Sequence, residues 1–475
     1  MLFNSVLFLV FFIFVYSLFH FINPHLRKYL LLFSSMVFYG SWDVLTFNSL
    51  VPRFLLHFIL ILTINYFFIN QIQNTENLIK KKFFLTFSIC INVLNLGFFK
   101  YFYFLIDIFG TILGHPEWKL QAIERFQIIL PIAISFYTFQ TIAFLVDKYK
   151  GLIPEKTSYI DFLLFILFFP QQLAGPILKS TEFLPRLKNP IPVTQRDVIL
   201  GLTYIGFGII KKGVLADSMA LVVNPVFANP SEHSGPACYL AALGFIIQLW
   251  GDFSGYSDIA IGLAKLLGFD LPKNFEAPFF STSFAEMWER WHITLSRFLR
   301  EYVYFPLGGS KGTPLQTIRN VFLTMGLAGI WHGANWNFLL WGIVIAISLI
   351  FERILLNKFS FWRENKSIVD FSIKSILVFQ FWILLALIFR VQNLADIGIF
   401  LNNIFTLKGG LSIDVFSIIN TVFFAFLLHL IEYKSNLLEK IFLQPKLIIF
   451  SVGIILLFVL SDLSNRQVQF IYFQF

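Results

Sequence analysis

Cysteine, charged residues and long polar segments are all scarce in this sequence of 475 residues. Its two cysteines, Cys90 and Cys238, lie in apolar surroundings, which excludes a disulfide framework and a CxxC metal site. Charged residues make up 13% of the chain, about half the fraction that is usual in soluble domains. Because no polar stretch is long enough for a second domain, we expect a single membrane domain over residues 1–475.

Basic arms and a cleavable leader are missing as well. The net charge is +9, but the lysines and arginines are spread over short loops, so we expect no nucleic-acid partner. The first apolar segment, residues 2–22, has neither a basic n-region nor a small-residue cleavage site. It therefore predicts a retained transmembrane helix rather than a signal peptide.

Apolar residues dominate the composition instead. They make up 57% of the chain, with a mean hydropathy of +0.74, and a soluble protein of this size could not bury that much apolar surface. Apolar runs of roughly 17–25 residues predict about eleven or twelve membrane spans. The predicted spans are 3–22, 29–47, 54–72, 83–105, 127–146, 160–176, 198–214, 238–267, 320–351, 373–392, 415–431 and 446–461.

Two of these runs have the features of broken helices. The run 160–176 ends in Phe-Pro-Gln-Gln-Leu-Ala-Gly-Pro, which predicts a half-helix and a re-entrant turn. The run 238–267 contains Asp252, Gly255 and Asp258, which predict a broken helix that faces the protein interior.

The distribution of lysine and arginine predicts the orientation. The loops after the first, third and fifth spans hold more of them than the alternate loops, and such loops are cytoplasmic. The first set is Arg27, Lys28, Lys80, Lys81, Lys82, Lys148, Lys150 and Lys156, and the second is Arg53, Lys119 and Arg125. We therefore expect the N-terminus outside the cytoplasm and the first loop inside it.

A histidine lies within the apolar run 320–351. His332 stands in Gly-Ile-Trp-His-Gly-Ala-Asn, and an imidazole at membrane depth is costly and usually functional. With a pKa of about 6.5, it can accept a proton from a hydroxyl and return it to a leaving group. Asn335 is predicted to share its helical face, and Gly329 and Gly333 to leave room for a ligand. A core histidine bonded to a carbonyl is the alternative.

A second histidine lies in segment 284–307, where apolar residues recur at helical spacing among many charges. The pattern predicts an amphipathic helix at the membrane interface or along a wet cavity. His292 would lie at a shallow level, with Ser296 and Glu289 near it on the helix. A Ser-His-Glu catalytic set is one interpretation; a substrate-binding or proton-relay histidine fits better, and a plain interfacial histidine remains open. The charges are Arg290, Arg297, Arg300 and Glu301.

Two other protein classes stay open on the residues alone. Paired intramembrane histidines can hold a haem, although only two of the eight histidines sit in polar motifs. The polar residues of 248–258 could line a path, so a transporter or flippase for an envelope precursor is the serious rival. Against it, no matching pair of broken helices recurs in two halves. The polar residues instead crowd into 250–340, as a single active-site chamber requires.

Several motifs, in order, make the sequence similar to the membrane-bound O-acyltransferase (MBOAT) family. They include a W-H-x-x-x-S sequence at His292 and a W-H-G sequence at His332. The branch that it resembles contains the membrane subunits of bacterial polysaccharide O-acetyltransferases. The matching stretches are 131–140, 169–176, 252–262, 288–304, 319–335 and 470–475.

The resemblance implies an enzyme that moves an acyl group, here an acetyl group, from a thioester to a hydroxyl. In the family the W-H-G histidine is essential and the W-H-x-x-x-S histidine is also important, so His332 and His292 are the expected catalytic residues. No metal and no bound cofactor are expected. The expected substrate-binding residues are Trp331, Asn335, Ser296, Trp291, Asp252 and Tyr256.

The resemblance also implies a fold. It is an all-α ring of about 11 transmembrane helices, some broken or re-entrant, around a central tunnel. Residues 1–126 would form N-terminal helices, 127–345 the catalytic core and 346–475 C-terminal helices. The expected location is the bacterial cytoplasmic (inner) membrane, in contact with lipid.

Substrates and partners follow from the same resemblance. The donor would be acetyl-CoA or an acyl carrier protein thioester. The acceptor would be a cell-envelope or secreted polysaccharide, reached directly or through an extracytoplasmic SGNH-type acetyltransferase partner. D-alanyl transfer to teichoic acid from a carrier protein is the alternative within the family, and a structural scaffold is a third interpretation.

Overall fold

The computed structural model describes residues 1–475 except 2, 4, 48–50, 154, 174, 359–366, 434–439 and 463–475. The described residues form helices and turns, with an isolated bridge between His233 and Leu411 and no strand. The predicted all-α, polytopic membrane class is therefore confirmed. The C-terminal motif at 470–475 lies outside the described residues.

The helices follow one another with short connections. The first are α1 (Val6–Phe21), α2 (Pro24–Phe47), α3 (Arg53–Asn74), α4 (Leu78–Leu96), α5 (Phe102–Leu113), α6 (Trp118–Phe126), α7 (Ile134–Tyr149), α8 (Tyr159–Leu167), α9 (Phe169–Gln172), α10 (Ser180–Lys188) and α11 (Gln195–Ile209). The others are α12 (Asp217–Ala228), α13 (Gly235–Leu266), α14 (Phe284–Arg290), α15 (Ile293–Leu299), α16 (Pro314–His332), α17 (Trp336–Lys358), α18 (Ile368–Arg390), α19 (Leu394–Phe405), α20 (Val415–Tyr433) and α21 (Pro445–Asp462). π-helical turns lie at Gly97–Tyr101, Ile210–Ala216 and Arg300–Tyr304.

The chain divides into two compact units. The first contains Met1–Leu202 and Ala260–Pro272, and the second contains Thr203–Ile259 and Lys273–Phe458. Both predicted histidines belong to the second unit.

Seven helices among the described residues are long and apolar enough to cross a membrane. Two of them run through a π-helical turn without ending. The shorter apolar helix α1 corresponds to the predicted span 3–22, whereas α19, which is also short and apolar, lies outside every predicted span. The seven are Arg53–Asn74, Leu78–Leu113, Gln195–Ala228, Gly235–Leu266, Trp336–Leu356, Ile368–Arg390 and Val415–Tyr433.

Of the two runs predicted to break, only one does. α8 ends at Leu167, Phe168 leaves helical geometry, and the four-residue helix α9 follows, all of it buried. In contrast, α13 runs unbroken through Asp252 and Asp258. The prediction of a broken helix at 238–267 is therefore wrong.

Two lysines explain why α13 does not break. The turn Ile210–Ala216 places Lys212 Nζ 2.8 Å from an Asp252 carboxylate oxygen and 2.6 Å from one of Asp217. It also places Lys211 Nζ 2.9 Å from an Asp258 carboxylate oxygen and 2.5 Å from one of Glu432. Because these carboxylates have cationic partners, they can be buried on a regular helix. The backbone is irregular not in α13 but in the π-helical turn Ile210–Ala216, which carries the two lysines.

The predicted span 320–351 is two helices rather than one. α16 ends at His332, Gly333 is extended, and α17 begins at Trp336. The two helices pack closely, since a Cβ at Gly329 would lie 2.2 Å from the Phe338 carbonyl oxygen. A Cβ at Gly333 would lie 2.1 Å from the Phe338 ring. These glycines therefore serve helix packing, and the prediction that they leave room for a ligand is wrong.

Replacing Lys212 by Met should destabilise the protein by about 3–5 kcal/mol, because it leaves the buried Asp252 carboxylate and the partly buried Asp217 carboxylate without their cation. Unfolding of the purified protein in detergent, followed by circular dichroism, measures this. Lys119→Met is the matched control, since it removes a more exposed ion pair with Asp107 that contributes about 0–1 kcal/mol. Equal losses in the two variants would contradict the structural role given to Lys212.

Candidate active site

His332 lies at the C-terminal end of α16 inside an aromatic box. Trp331, Trp341 and Phe389, which form this box, have ring centroids 4.9, 4.9 and 5.1 Å from that of the imidazole. The side chain is buried, with the residue 6% exposed. The space beside it holds about 10 Å³, roughly one water molecule. Trp291 and Trp382 also line this space.

Asn335 does not share a helical face with His332, because α16 ends before it. Its side-chain amide donates to the Gln392 carbonyl oxygen at 3.1 Å, and its amide oxygen accepts from the Trp336 N–H at 2.6 Å. Asn335 therefore holds the start of α17 and the end of the following helix together. The helical placement predicted for it is wrong.

His292 lies at a break in the chain, not on a continuous helix. α14 ends at Arg290, and His292 adopts a left-handed backbone conformation with φ of 41° before α15 begins. The residue is 1% exposed, so its side chain is buried within the protein. The imidazole packs edge-on to Phe253, with centroids 4.6 Å apart.

The surroundings of His292 keep its imidazole neutral. Neither ring nitrogen has a hydrogen-bond partner among the described residues. Burial lowers the pKa of His292 to about 3, because desolvation penalises the charged form. The ring is therefore uncharged throughout the physiological pH range.

Trp331 stands next to both histidines. Its ring centroid is 6.1 Å from that of His292 and 4.9 Å from that of His332. The W-H-G tryptophan is thus the shared neighbour of the two predicted catalytic residues. This proximity joins two motifs that the sequence shows only as separate stretches.

A larger cavity of about 640 Å³ lies beside α14, α15, α16 and α17. Arginine side chains and apolar side chains line it together, so we call it the arginine cavity. Its charged lining residues are Glu289, Arg297, Arg300, Glu352 and Arg353. The sequence predicted that 284–307 lies at the membrane interface or along a wet cavity. It gave no prediction for Glu352 and Arg353, which lie near the end of the apolar helix α17.

The charged groups of the arginine cavity differ in how they are bound. Glu352 accepts hydrogen bonds from the Phe284 and Ala285 N–H groups at 2.7 and 2.8 Å, so it fixes the start of α14. Arg353 donates to Ser310 Oγ at 3.1 Å. The guanidinium of Arg300 is exposed and has no ion-pair partner among the described side chains.

Two indoles separate the arginine cavity from His332. Trp288 lines the cavity, and its ring lies 5.8 Å from that of Trp341, edge to face. Trp341 in turn packs on the His332 imidazole at 4.9 Å. Trp288 and Trp341 thus connect the lining of the arginine cavity to the His332 imidazole through two ring contacts.

The Ser-His-Glu interpretation fails on geometry. Ser296 and Glu289 line the arginine cavity, whereas His292 faces Phe253 and Trp331. The Ser296 hydroxyl lies 3.4 Å from the Trp291 carbonyl oxygen, to which it donates. Ser296 therefore lines the arginine cavity and has no place in a triad with His292.

Asp252 and Tyr256 lie away from both spaces. Asp252 pairs with Lys212 at 2.8 Å, and the Lys212 ammonium lies 6.0 Å from the centroid of the buried Tyr256 ring. Neither residue lines the arginine cavity or the space beside His332. Both residues thus take part in the packing around Lys212, and their contact with a substrate stays a prediction.

Comparison with known proteins gives the family. Residues 152–395, which include both histidines, match the membrane-bound O-acyltransferase family. The probable alginate O-acetylase of Azotobacter vinelandii is 37% identical over 75% of this chain and 69% of its own length. The peptidoglycan O-acetyltransferase of Helicobacter pylori is 34% identical over 92% of this chain and 86% of its own. The teichoic acid D-alanyltransferase of Streptococcus thermophilus is 30% identical over 48% of this chain and 58% of its own.

Three findings agree on the family. The structure has several helices that could cross a membrane, the family match covers half the chain, and the alignments with the acetyltransferases are long. The chain therefore belongs to the membrane-bound O-acyltransferase family and is an O-acyltransferase.

Proposed function

We propose that this protein transfers an acetyl group from a cytoplasmic thioester to a hydroxyl of a cell-envelope or secreted polysaccharide. The observation that carries the proposal is the pairing of an arginine-lined cavity with a buried histidine behind two indoles. The proposed location is the bacterial inner membrane, with the N-terminus outside. The proposed catalytic core is 127–345, with box residues added from α18.

The arginine cavity suits the donor. Acetyl-CoA and a carrier-bound phosphopantetheine both carry phosphate, which guanidinium groups bind with charge-assisted hydrogen bonds. The volume of about 640 Å³ falls within the usual range for ligand sites, about 300–1,000 Å³. Arg300 is the best-placed phosphate ligand, because its guanidinium has no competing carboxylate among the described side chains.

His332 suits the chemical step. In the proposed reaction it takes the proton from the acceptor hydroxyl while the hydroxyl oxygen attacks the thioester carbonyl. The carbon–sulfur bond then breaks, and the imidazolium returns its proton to the thiolate, so that the ester and a free thiol result. Backbone N–H groups of residues 333–335 are the proposed donors to the oxyanion. The acyl end of the donor reaches His332 when Trp288 and Trp341 move apart. An acyl-histidine intermediate is the alternative route.

Acceptor and partner come from the relatives. Alignments with the alginate and peptidoglycan acetyltransferases cover 75% and 92% of this chain, against 48% for the D-alanyltransferase. This difference favours acetylation of a polysaccharide over D-alanylation of teichoic acid. An extracytoplasmic SGNH-type acetyltransferase is the proposed partner that carries the acetyl group onward.

His332→Ala should lower the rate of acetyl transfer at least about 100-fold, because it removes the general base. The assay follows thiol release from acetyl-CoA by purified protein, with alginate oligosaccharides or peptidoglycan fragments as acceptors. His115→Ala, at an exposed histidine of the first unit, is the control and should keep the normal rate. Normal turnover in His332→Ala would refute the assignment, and an intact thioester with solute movement into liposomes would favour a transporter.

Arg300→Ala should raise KM for acetyl-CoA about tenfold or more with a smaller change in kcat, because one charge-assisted contact to phosphate is lost. Initial rates at varied acetyl-CoA give both constants. The control is Arg125→Ala, which removes an exposed arginine from α6 of the first unit. An unchanged KM would place the donor elsewhere.

A further inference from the structure

The loop before α14, residues 273–283, contains a buried asparagine with no role in the reaction described above. Asn274 is 1% exposed, and both atoms of its side-chain amide are hydrogen-bonded. We propose that Asn274 is a positioning residue that fixes the backbone at His292, together with Thr294 and Ser257. The inference rests on the proposed function in that it takes His292 to be part of the reaction site.

Asn274 binds the chain directly after His292. Its carbonyl oxygen accepts the Ile293 N–H at 2.9 Å, and its amide oxygen accepts the Thr294 hydroxyl at 2.6 Å. These two bonds reach consecutive residues of the first turn of α15. A shift of Asn274 would therefore move Ile293 and Thr294, and with them the backbone that holds His292 in its left-handed conformation.

The same loop also binds the chain before His292. The Glu276 N–H donates to the Arg290 carbonyl oxygen, and the Arg290 guanidinium donates to the Glu276 carbonyl oxygen, both at 3.0 Å. Residues 274 and 276 thus hold 293–294 and 290. Trp291 and His292 lie between the two attachments.

His292 needs such attachments for two reasons. A left-handed conformation in a residue other than glycine is unfavourable and persists only where the surroundings impose it. In addition, neither of its ring nitrogens has a hydrogen-bond partner among the described residues. The position of the imidazole therefore depends on its backbone and on packing against Phe253 and Trp331.

Helix α13 provides the fixed end of this arrangement. The Asn274 amide nitrogen donates to Ser257 Oγ at 3.0 Å. Ser257 follows Phe253 by four residues, so both lie on one face of α13. The helix thus supplies the ring that His292 packs against and the hydroxyl that anchors Asn274, which gives the motif 252–262 a use at the site.

Thr294→Val is the sharpest variant, because it keeps the side-chain shape and removes only the hydroxyl that Asn274 binds. We expect kcat to fall about tenfold, the loss typical of one buried hydrogen bond, with KM for acetyl-CoA unchanged. Thr294→Ser should restore kcat to within about twofold, since the hydroxyl returns. Asn274→Ala should lower kcat further. If this variant does not fold, the comparison of Thr294→Val with Thr294→Ser still tests the positioning role.

Thr421→Val is the matched control. It also removes a buried hydroxyl from a helix, but this hydroxyl lies on α20 and donates to the Ser417 carbonyl oxygen at 2.8 Å. A purely structural role for Asn274 predicts that both valine variants lose a little thermal stability and keep kcat. That result would overturn the inference.

His292→Gln, measured in parallel, separates the inference from the proposed function. If His292→Gln is impaired and Thr294→Val is normal, the positioning role fails while the role of His292 stands. If His292→Gln keeps full activity, His292 is not part of the reaction site. A loss in Thr294→Val would then act through another group and would overturn the inference too.

Discussion

Polar groups in the apolar interior of the second unit must find their partners within the protein, and the rest of the site depends on how this constraint is met. Lys211 and Lys212 meet it for the acidic residues of α13. Because their ion pairs neutralise Asp252 and Asp258, α13 continues as a regular helix between them. That regularity sets Phe253 and Ser257 on one face, beside the loop that carries His292. A structural ion-pair network thereby determines the position of a side chain that it does not touch.

The sequence predicted features that nearby residues determine, but not features that depend on residues distant in the sequence. The break in the run 160–176 was predictable, because prolines act on their own backbone. The continuity of α13 was not, because the lysines that neutralise its aspartates come from another helix. Likewise, residue type singled out His292 and His332, but nothing local reveals the left-handed turn at His292. That turn depends on hydrogen bonds from the preceding loop. The spacing between His292 and Ser296 therefore predicted, wrongly, that both lie on one continuous helix.

The end of α16 at His332 gives the site its enclosure. A histidine in mid-helix would present its imidazole to one neighbouring helix, whereas here the chain turns at Gly333 and α17 returns alongside. Trp341 of α17 and Phe389 of α18 then close around the ring together with Trp331. The resulting space is too small for a substrate, and the arginine cavity has the volume that the box lacks. In the proposed reaction Trp288 and Trp341 move apart to let the acyl end of the donor reach His332, so that donor binding in the arginine cavity is coupled to exposure of the imidazole.

The surroundings of His292 affect both its charge and its position. Burial lowers the pKa of its imidazole, because desolvation disfavours the charged form. In the proposed reaction His332 is the base, and the His292 imidazole lies on the other side of Trp331. A carboxylate bonded to either nitrogen of His292 would raise its pKa. Holding His292 through its backbone avoids this effect, and this accounts for a buried imidazole that is fixed in place yet neutral.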